Sequence, residues 1–295
     1  MPADDRDAPP TAAGMPSSAG LPSAAGIPSA DEPAHARAAD AGGRVEIVAL
    51  EGIPEVVAGD DVGLLICDAL ERTAGVLPLR RDDVLVVTQK IVSKAEGAVV
   101  DLADVEPRKE AAAFGARWDR DPRQVEVVLR EAVRVVRMDR GVIITETRHG
   151  FVLANSGVDA SNMGPRSGGI VTLLPRDPDA SAAAIRATVR DRHLVDVAVV
   201  ISDSFGRPWR WGIVDVAIGV SGLHPVEDLR GAEDADGRVM RSTIRGTADE
   251  IASAAELALG KTAGRPVAIV RGALPLRGEG SIGEAIMPSS FDLFR

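Results

Sequence analysis

The sequence predicts an α+β fold, with mixed sheets and flanking helices. Three observations lead there. Short β-branched runs recur along the chain, as in Asp83-Val-Leu-Val-Val-Thr88 and Asp196-Val-Ala-Val-Val-Ile-Ser202. Stretches with clear helix-start signals separate some of these runs. Other runs follow one another too closely for a helix between them, so hairpins interrupt the strand–helix alternation of a regular doubly wound sheet.

Residues 1–44 are rich in Ala, Pro and Ser and repeat Gly14-Met-Pro-Ser, Gly20-Leu-Pro-Ser and Gly26-Ile-Pro-Ser. Pro removes backbone donors and nothing here buries a core, so this reads as a disordered tail. The folded body, 45–295, opens with a strand at Val45–Ala49, then a helix over 61–73 capped by Asp60 or Asp61. The strand 83–88 follows, and Ile91-Val92 and Ala98–Val100 read as extended. Helices are expected over 107–117 and 122–134, the second with Asp121 as cap and Pro122 at its first position. Val142–Thr145 and Phe151–Ala154 read as a hairpin around Arg148-His-Gly150. A strand at Ile170–Leu174, a helix over 178–193, and strands at 196–202 and 214–219 come next. Thr247-Ala-Asp-Glu250 has the capping-box form, its helix stops at Gly260, and Pro266–Val270 is the last strand.

Composition bounds the function. Among 295 residues, 45% are hydrophobic and 26% charged, ordinary for a globular enzyme. The net charge of −10 and 3% aromatic content argue against a nucleic-acid partner, which needs basic surface and stacking rings. An acidic protein that binds anionic small molecules needs placed cations or metal ions. Cys67 is the only cysteine, so neither an intrachain disulfide nor a cysteine zinc site is available, and its apolar helical setting reads as core packing. No apolar run approaches the roughly 20 residues that span a bilayer. Asp4, Asp5 and Asp7 replace any signal-peptide h-region, so no membrane association and a cytoplasmic location are expected.

Four stretches hold chemistry-bearing residues. Ile201-Ser-Asp-Ser204 lies where the strongest strand is expected to run out, and Asp203 with Ser204 offers hard oxygen ligands suited to Mg²⁺ or Mn²⁺. Ala154-Asn-Ser-Gly-Val-Asp-Ala-Ser-Asn162 packs Asn155, Ser156, Asp159, Ser161 and Asn162 around Gly157. Alone, each reads as a polar turn; together they make a joint metal site credible. Lys90 and Lys94, with Gln89 and Ser93, form a group that can hold a polyphosphate or simply a solvated edge. Phe205-Gly-Arg-Pro-Trp-Arg-Trp-Gly212 joins two Arg to two Trp directly after Asp203. Gly260-Lys261-Thr262 is not a P-loop, because Ala255 stands where the first Gly is required and the segment ends a helix rather than starting one.

Thr88–Gly97, Ala154–Asn162, Ser202–Arg210 and Ala248–Leu257, in that order, closely resemble the coenzyme F-420:L-glutamate ligases, or F-420-0:γ-glutamyl ligases. The resemblance spans about residues 45–295. It implies the family's own glutamyl ligase fold, an intertwined homodimer, and GTP-dependent addition of L-glutamate to coenzyme F-420-0 in coenzyme F-420 biosynthesis. It also implies two divalent ions, Mg²⁺ or Mn²⁺, with K⁺ as a further candidate. By motif match, Ile53, Pro54, Glu55, Val56, Gln89, Lys94 and Asn162 would contact GTP, with Gly260 and Lys261 nearby. Asp159 and Asp203 would hold one ion and Ser204 would help with a second; Lys94 and Asp203 become the expected catalytic residues. The C-terminal flavin-binding domain of some members is not expected here.

One departure stands out. The family pattern has Arg-x-Gly-Gln where this chain reads Arg210-Trp-Gly-Ile213, so Trp211 and Ile213 replace polar residues while Asp215 is retained. That leaves open a ligase with another carboxylate acceptor, or a non-catalytic protein that binds the coenzyme or nucleotide.

Overall fold

A computed structural model describes residues 43–161, 169–273 and 275–292. The expected tail lies almost wholly outside them, as does Asn162. The elements in order are β1 (Glu46–Ala49), α1 (Val62–Arg72), β2 (Val84–Thr88), α2 (Gln89–Ala95), β3 (Val99–Asp101), α3 (Lys109–Trp118) and α4 (Pro122–Glu131). Then come β4 (Ala132–Asp139), β5 (Val142–Thr147), β6 (Val152–Ala154), β7 (Ile170–Thr172), α5 (Pro178–His193), β8 (Ala198–Arg207) and β9 (Arg210–Ser221). The described part ends with β10 (Glu227–Asp228), β11 (Ile244–Arg245), α6 (Thr247–Leu259) and β12 (Val267–Arg271).

The mixed α+β character is as expected. The main sheet has the order β1-β12-β2-β8-β9, and only the β2–β8 pairing is parallel. Val84, Leu85, Val86 and Val87 are all fully buried, which requires cover on both faces of β2. α1 packs on α5, α5 lies over β8 and β9, and α6 packs on β9, β1 and β12. At Gly219 an added Cβ would lie 2.5 Å from Pro178, so the missing side chain lets α5 sit tightly on β9. A second apolar cluster gathers Phe114, Val125, Val128, Ile143, Val158 and Val171, joining α3 and α4 to the β4-β5-β6 and β3-β7 sheets.

Two helices start on the expected caps, and Asp177 caps a third in the same way. Asp61 accepts from Leu64 N at 3.0 Å, Asp121 from Arg123 N at 2.9 Å and Asp177 from Ala180 N at 3.0 Å. Four expectations change. Ile91-Val92 are helical, because packing of both side chains against the main core overrides their preference for extended backbone. Residues 132–134 leave the helix and begin β4, which turns back on β5 through Arg140 and Gly141, both with positive φ. The Thr247–Glu250 capping box is absent: Gly246 is the cap, Thr247 Oγ1 is buried without a partner, and Glu250 pairs with Arg245. Finally, β8 does not stop at Ser202 but runs to Arg207, because β9 continues beside it. Among the described residues no helix is long and apolar enough to cross a membrane.

Candidate active site

Two parallel strands deliver the first half of the site. β2 and β8 run side by side with Thr88 opposite Ser202, so α2 and Asp203 emerge together at the same sheet end. On α2, Lys90 and Lys94 are one turn apart and share a face. Lys90 Nζ lies 2.7 Å from Asp159 Oδ2 and donates to Ser161 Oγ at 2.8 Å. Asp159 is anchored by its own backbone, which exchanges hydrogen bonds with Thr172 at 3.1 and 2.8 Å. Burial pushes the Asp159 carboxyl up, but the bonds from Lys90 and from Ser161 outweigh it and hold the group below its ordinary range.

Asp203 behaves in the opposite way. Burial, opposed by a hydrogen bond with Ser204, and then the nearby charges of Asp159 and Asp215 push it up to about 7; Lys90 offsets only part. That setting favours the neutral acid unless further positive charge is brought close. Asp203 and Phe205 share a strand face, and Phe205 meets Phe151 edge-on at 6.1 Å. Phe151 stacks on His149 at 5.5 Å, so an aromatic ladder braces this face.

The second half is on the other side of the β8–β9 hairpin. Side chains alternate along a strand, so Ser204 faces away from Asp203 and opposite Asp215. Asp215 is buried and accepts from Ser204 Oγ at 2.7 Å, Ser202 Oγ at 3.3 Å and Lys261 Nζ at 2.8 Å. Lys261 Nζ also donates to Ser204 Oγ. Lys261 follows Gly260, whose φ of 64° ends α6 and turns the chain toward the hairpin.

The remaining expected residues divide by burial. In the loop after β1, Val56 is in the core and Ile53 packs against it, while Pro54 and Glu55 are exposed. Glu55 Oε1 pairs with Lys94 Nζ at 2.5 Å, which ties this loop to α2. Gln89 is buried, and its amide nitrogen donates to Ser93 Oγ at 2.6 Å and Leu173 O at 2.8 Å, so its hydrogens are used inside the protein. Asp159, Asp203 and Lys90 thus gather on one side, Ser204, Asp215 and Lys261 on the other, and Lys94 with Glu55 beside Lys90. Asp215 was not expected among the site residues. Its signal is the pairing register, since Ser204 and Asp215 are eleven apart in sequence but directly opposed.

Among the described residues no three His, Cys, Asp or Glu side chains converge as a metal cluster. The donor set still suits a hard divalent ion. Mg²⁺ is commonly held by one or two carboxylates, with phosphate oxygens and water completing its shell. Asp159 and Asp203 supply two carboxylates, and Lys90 beside Asp159 offers a cation suited to phosphate.

A family model described as F-420-0:Gamma-glutamyl ligase matches residues 52–272. The chain is 42% identical over 255 residues to the coenzyme F-420:L-glutamate ligase of Methanothermobacter thermautotrophicus, covering 85% of this chain and 99% of that one. The protein of the same name from Methanopyrus kandleri is 44% identical, with 85% and 97% covered. That of Methanocaldococcus jannaschii is 39% identical, again with 85% and 97% covered. The family model runs through the strands and loops that carry both halves of the site, and the chain belongs to the F-420-0:γ-glutamyl ligase family.

Proposed function

We propose that this protein joins L-glutamate to coenzyme F-420-0 through an amide bond, driven by GTP, in coenzyme F-420 biosynthesis. The observation that carries the reading is the grouping of Asp159, Asp203 and Lys90 at the end of the parallel β2–β8 pair, in a chain of this family. Condensing a carboxylate with an amine in water is uphill. Transfer of the γ-phosphoryl group of GTP to a carboxylate oxygen of F-420-0 gives an acyl phosphate and GDP. The glutamate amine then attacks the acyl carbon, the C–O bond to phosphate breaks, and phosphate departs with the electron pair.

Mg²⁺ or Mn²⁺ at Asp159 and Asp203 would neutralise charge on the phosphoryl oxygens and fix their orientation. Lys90, Lys94 and Lys261 would add positive charge around the polyphosphate, and Ser204 with Asp215 would hold Lys261 in place. Pro54 and Glu55, exposed on a loop whose Ile53 and Val56 are anchored, would line the nucleotide side. Exposed Val133 and Val135 on β4, with Trp209 and Trp211 on the β8–β9 tip, support a homodimer, which sedimentation would show.

The test is a mass-spectrometric assay with GTP, Mg²⁺ or Mn²⁺, glutamate and F-420-0. A product heavier by glutamyl units is expected. No mass shift in either metal, beside a working control ligase, rejects the reading. A second reading keeps the site and changes the acceptor. Trp211 is 99% exposed and Ile213 55%, so the strand leading to Asp215 presents apolar surface. GDP release across a panel of carboxylate acceptors separates the two.

A further inference from the structure

Asp159 is reached through a turn that does not hold itself. Asn155, Ser156 and Gly157 have φ of 55°, 52° and 71° in succession. Glycine adopts this region freely and asparagine tolerates it, but serine does not, so groups outside the turn must fix Ser156.

Two hydroxyls do so. Ser156 is 2% exposed, and its N–H donates to Thr145 Oγ1 at 3.0 Å. Its hydroxyl donates to the Val128 carbonyl at 2.9 Å and lies 2.9 Å from Thr145 Oγ1. With the Ser156 proton on Val128, the Thr145 hydroxyl donates to Ser156 Oγ at 2.9 Å in preference to the Leu153 carbonyl at 3.4 Å. Thr145 therefore accepts from one atom of Ser156 and donates to another, and the chain of bonds ends on α4. Gly157 is confined from the other side, where an added Cβ would lie 2.6 Å from Leu174. Val158 N closes the turn on Asn155 O at 2.8 Å, and Asp159 follows directly into its two bonds with Thr172.

We infer that the Thr145–Ser156 hydroxyl pair is a positioning device for the Asp159 carboxylate. It locks a left-handed turn and so sets the point from which Asp159 meets Lys90 and a divalent ion. The inference rests on the metal role proposed above for Asp159. Neither residue touches substrate or metal, so both act through the turn.

Thr145→Val removes both the acceptor for Ser156 N–H and the donor to Ser156 Oγ; Thr145→Ser keeps both. Two measurements on the full chain are needed: Mn²⁺ titration with GDP present, and amide hydrogen exchange of residues 154–161 without metal. Thr145→Val is expected to bind Mn²⁺ about tenfold more weakly, and its Ser156–Asp159 amides to exchange about tenfold faster. Thr145→Ser should stay within about twofold of wild type in both, on the same hydrogen-bonding argument. Asp159→Asn should lose Mn²⁺ binding while keeping slow exchange. If Thr145→Val fails to fold, Ser156→Ala carries the same expectations. Wild-type Mn²⁺ affinity in Thr145→Val, or unchanged exchange, overturns the inference. A wild-type protein that binds no Mn²⁺ sinks the metal reading instead, and the exchange arm then decides whether the pair holds the turn.

Discussion

Replacing Arg271 by Leu should destabilise the fold severely without altering the chemistry of the molecules that remain folded. Asp83 is fully buried just before β2, and Arg271 at the end of β12 meets it with two parallel bonds, Nε to Oδ1 at 2.7 Å and Nη2 to Oδ2 at 2.9 Å. Arg80 N adds a third donor at 2.7 Å, and Arg271 Nη2 also reaches the Val76 carbonyl at 2.9 Å. Arg271→Leu leaves a buried carboxylate with a single backbone donor. Stranding one partner of a buried pair costs about 3–5 kcal/mol. That is a large share of the roughly 5–15 kcal/mol that holds a domain together. The double variant Asp83→Leu with Arg271→Leu removes the charge along with its partner. Its loss should fall to about 1–2 kcal/mol, from the Arg80 N–H and Val76 carbonyl left unpaired. Urea unfolding followed by far-ultraviolet circular dichroism measures both. A single variant that loses less than about 1 kcal/mol, or a double variant less stable than the single, refutes the reasoning. Asp83 and the lysines of α2 flank opposite ends of β2, so turnover per folded molecule should not change.

Three further outcomes are expected. Asp203→Asn should abolish turnover and Mn²⁺ binding while the fold persists; near-normal activity would mean that the metal is elsewhere. In the metal-free protein, Asp203 is pushed up to about 7 from 3.8, so the native state keeps a proton that the unfolded chain releases between those values. Its contribution to stability therefore falls as pH rises through that window, and a pH series of melting temperatures should show a slope that Asp203→Asn removes. Burial pushes the Cys67 thiol up to about 11, so thiol reagents should label the native protein only as fast as it unfolds; rapid labelling at neutral pH would contradict this.

Local signals made most elements readable. Asp61 and Asp121 announced two helices, because a carboxylate before a helical run satisfies a free N–H wherever it occurs, as Asp177 also does before α5. What escaped depended on distant partners. Ile91 and Val92 look extended until the core that receives them is known, and β8 looks finished at Ser202 until β9 is laid beside it. The site divided in the same way. Asp159, Asp203 and the α2 lysines were legible as residues of the right type, but their grouping depends on the parallel pairing of β2 with β8. The contacts of Asp215, and the bond between Thr145 and Ser156, were not legible, since spacing along the chain does not mark them.

Between Ile201 and Ser202 the β8–β9 pairing contains one residue more than the ladder needs. Ile201 faces Gly219 and Ser202 faces Ala217, so Ile218 is the extra residue. A ribbon with two sides has a parity, and Ile218 sets it. Were Ile218 paired with Ser202 instead of bulged, Asp215 would move from opposite Ser204 to opposite Phe205, onto the side already occupied by Asp203. Three carboxylates, Asp159, Asp203 and Asp215, would then crowd one side of the hairpin, and Lys261 would lose its anchor. A buried isoleucine left out of the ladder thus divides the acidic residues of this protein between two sides, and drawing that one residue into the pairing would invert the division without changing a single charge.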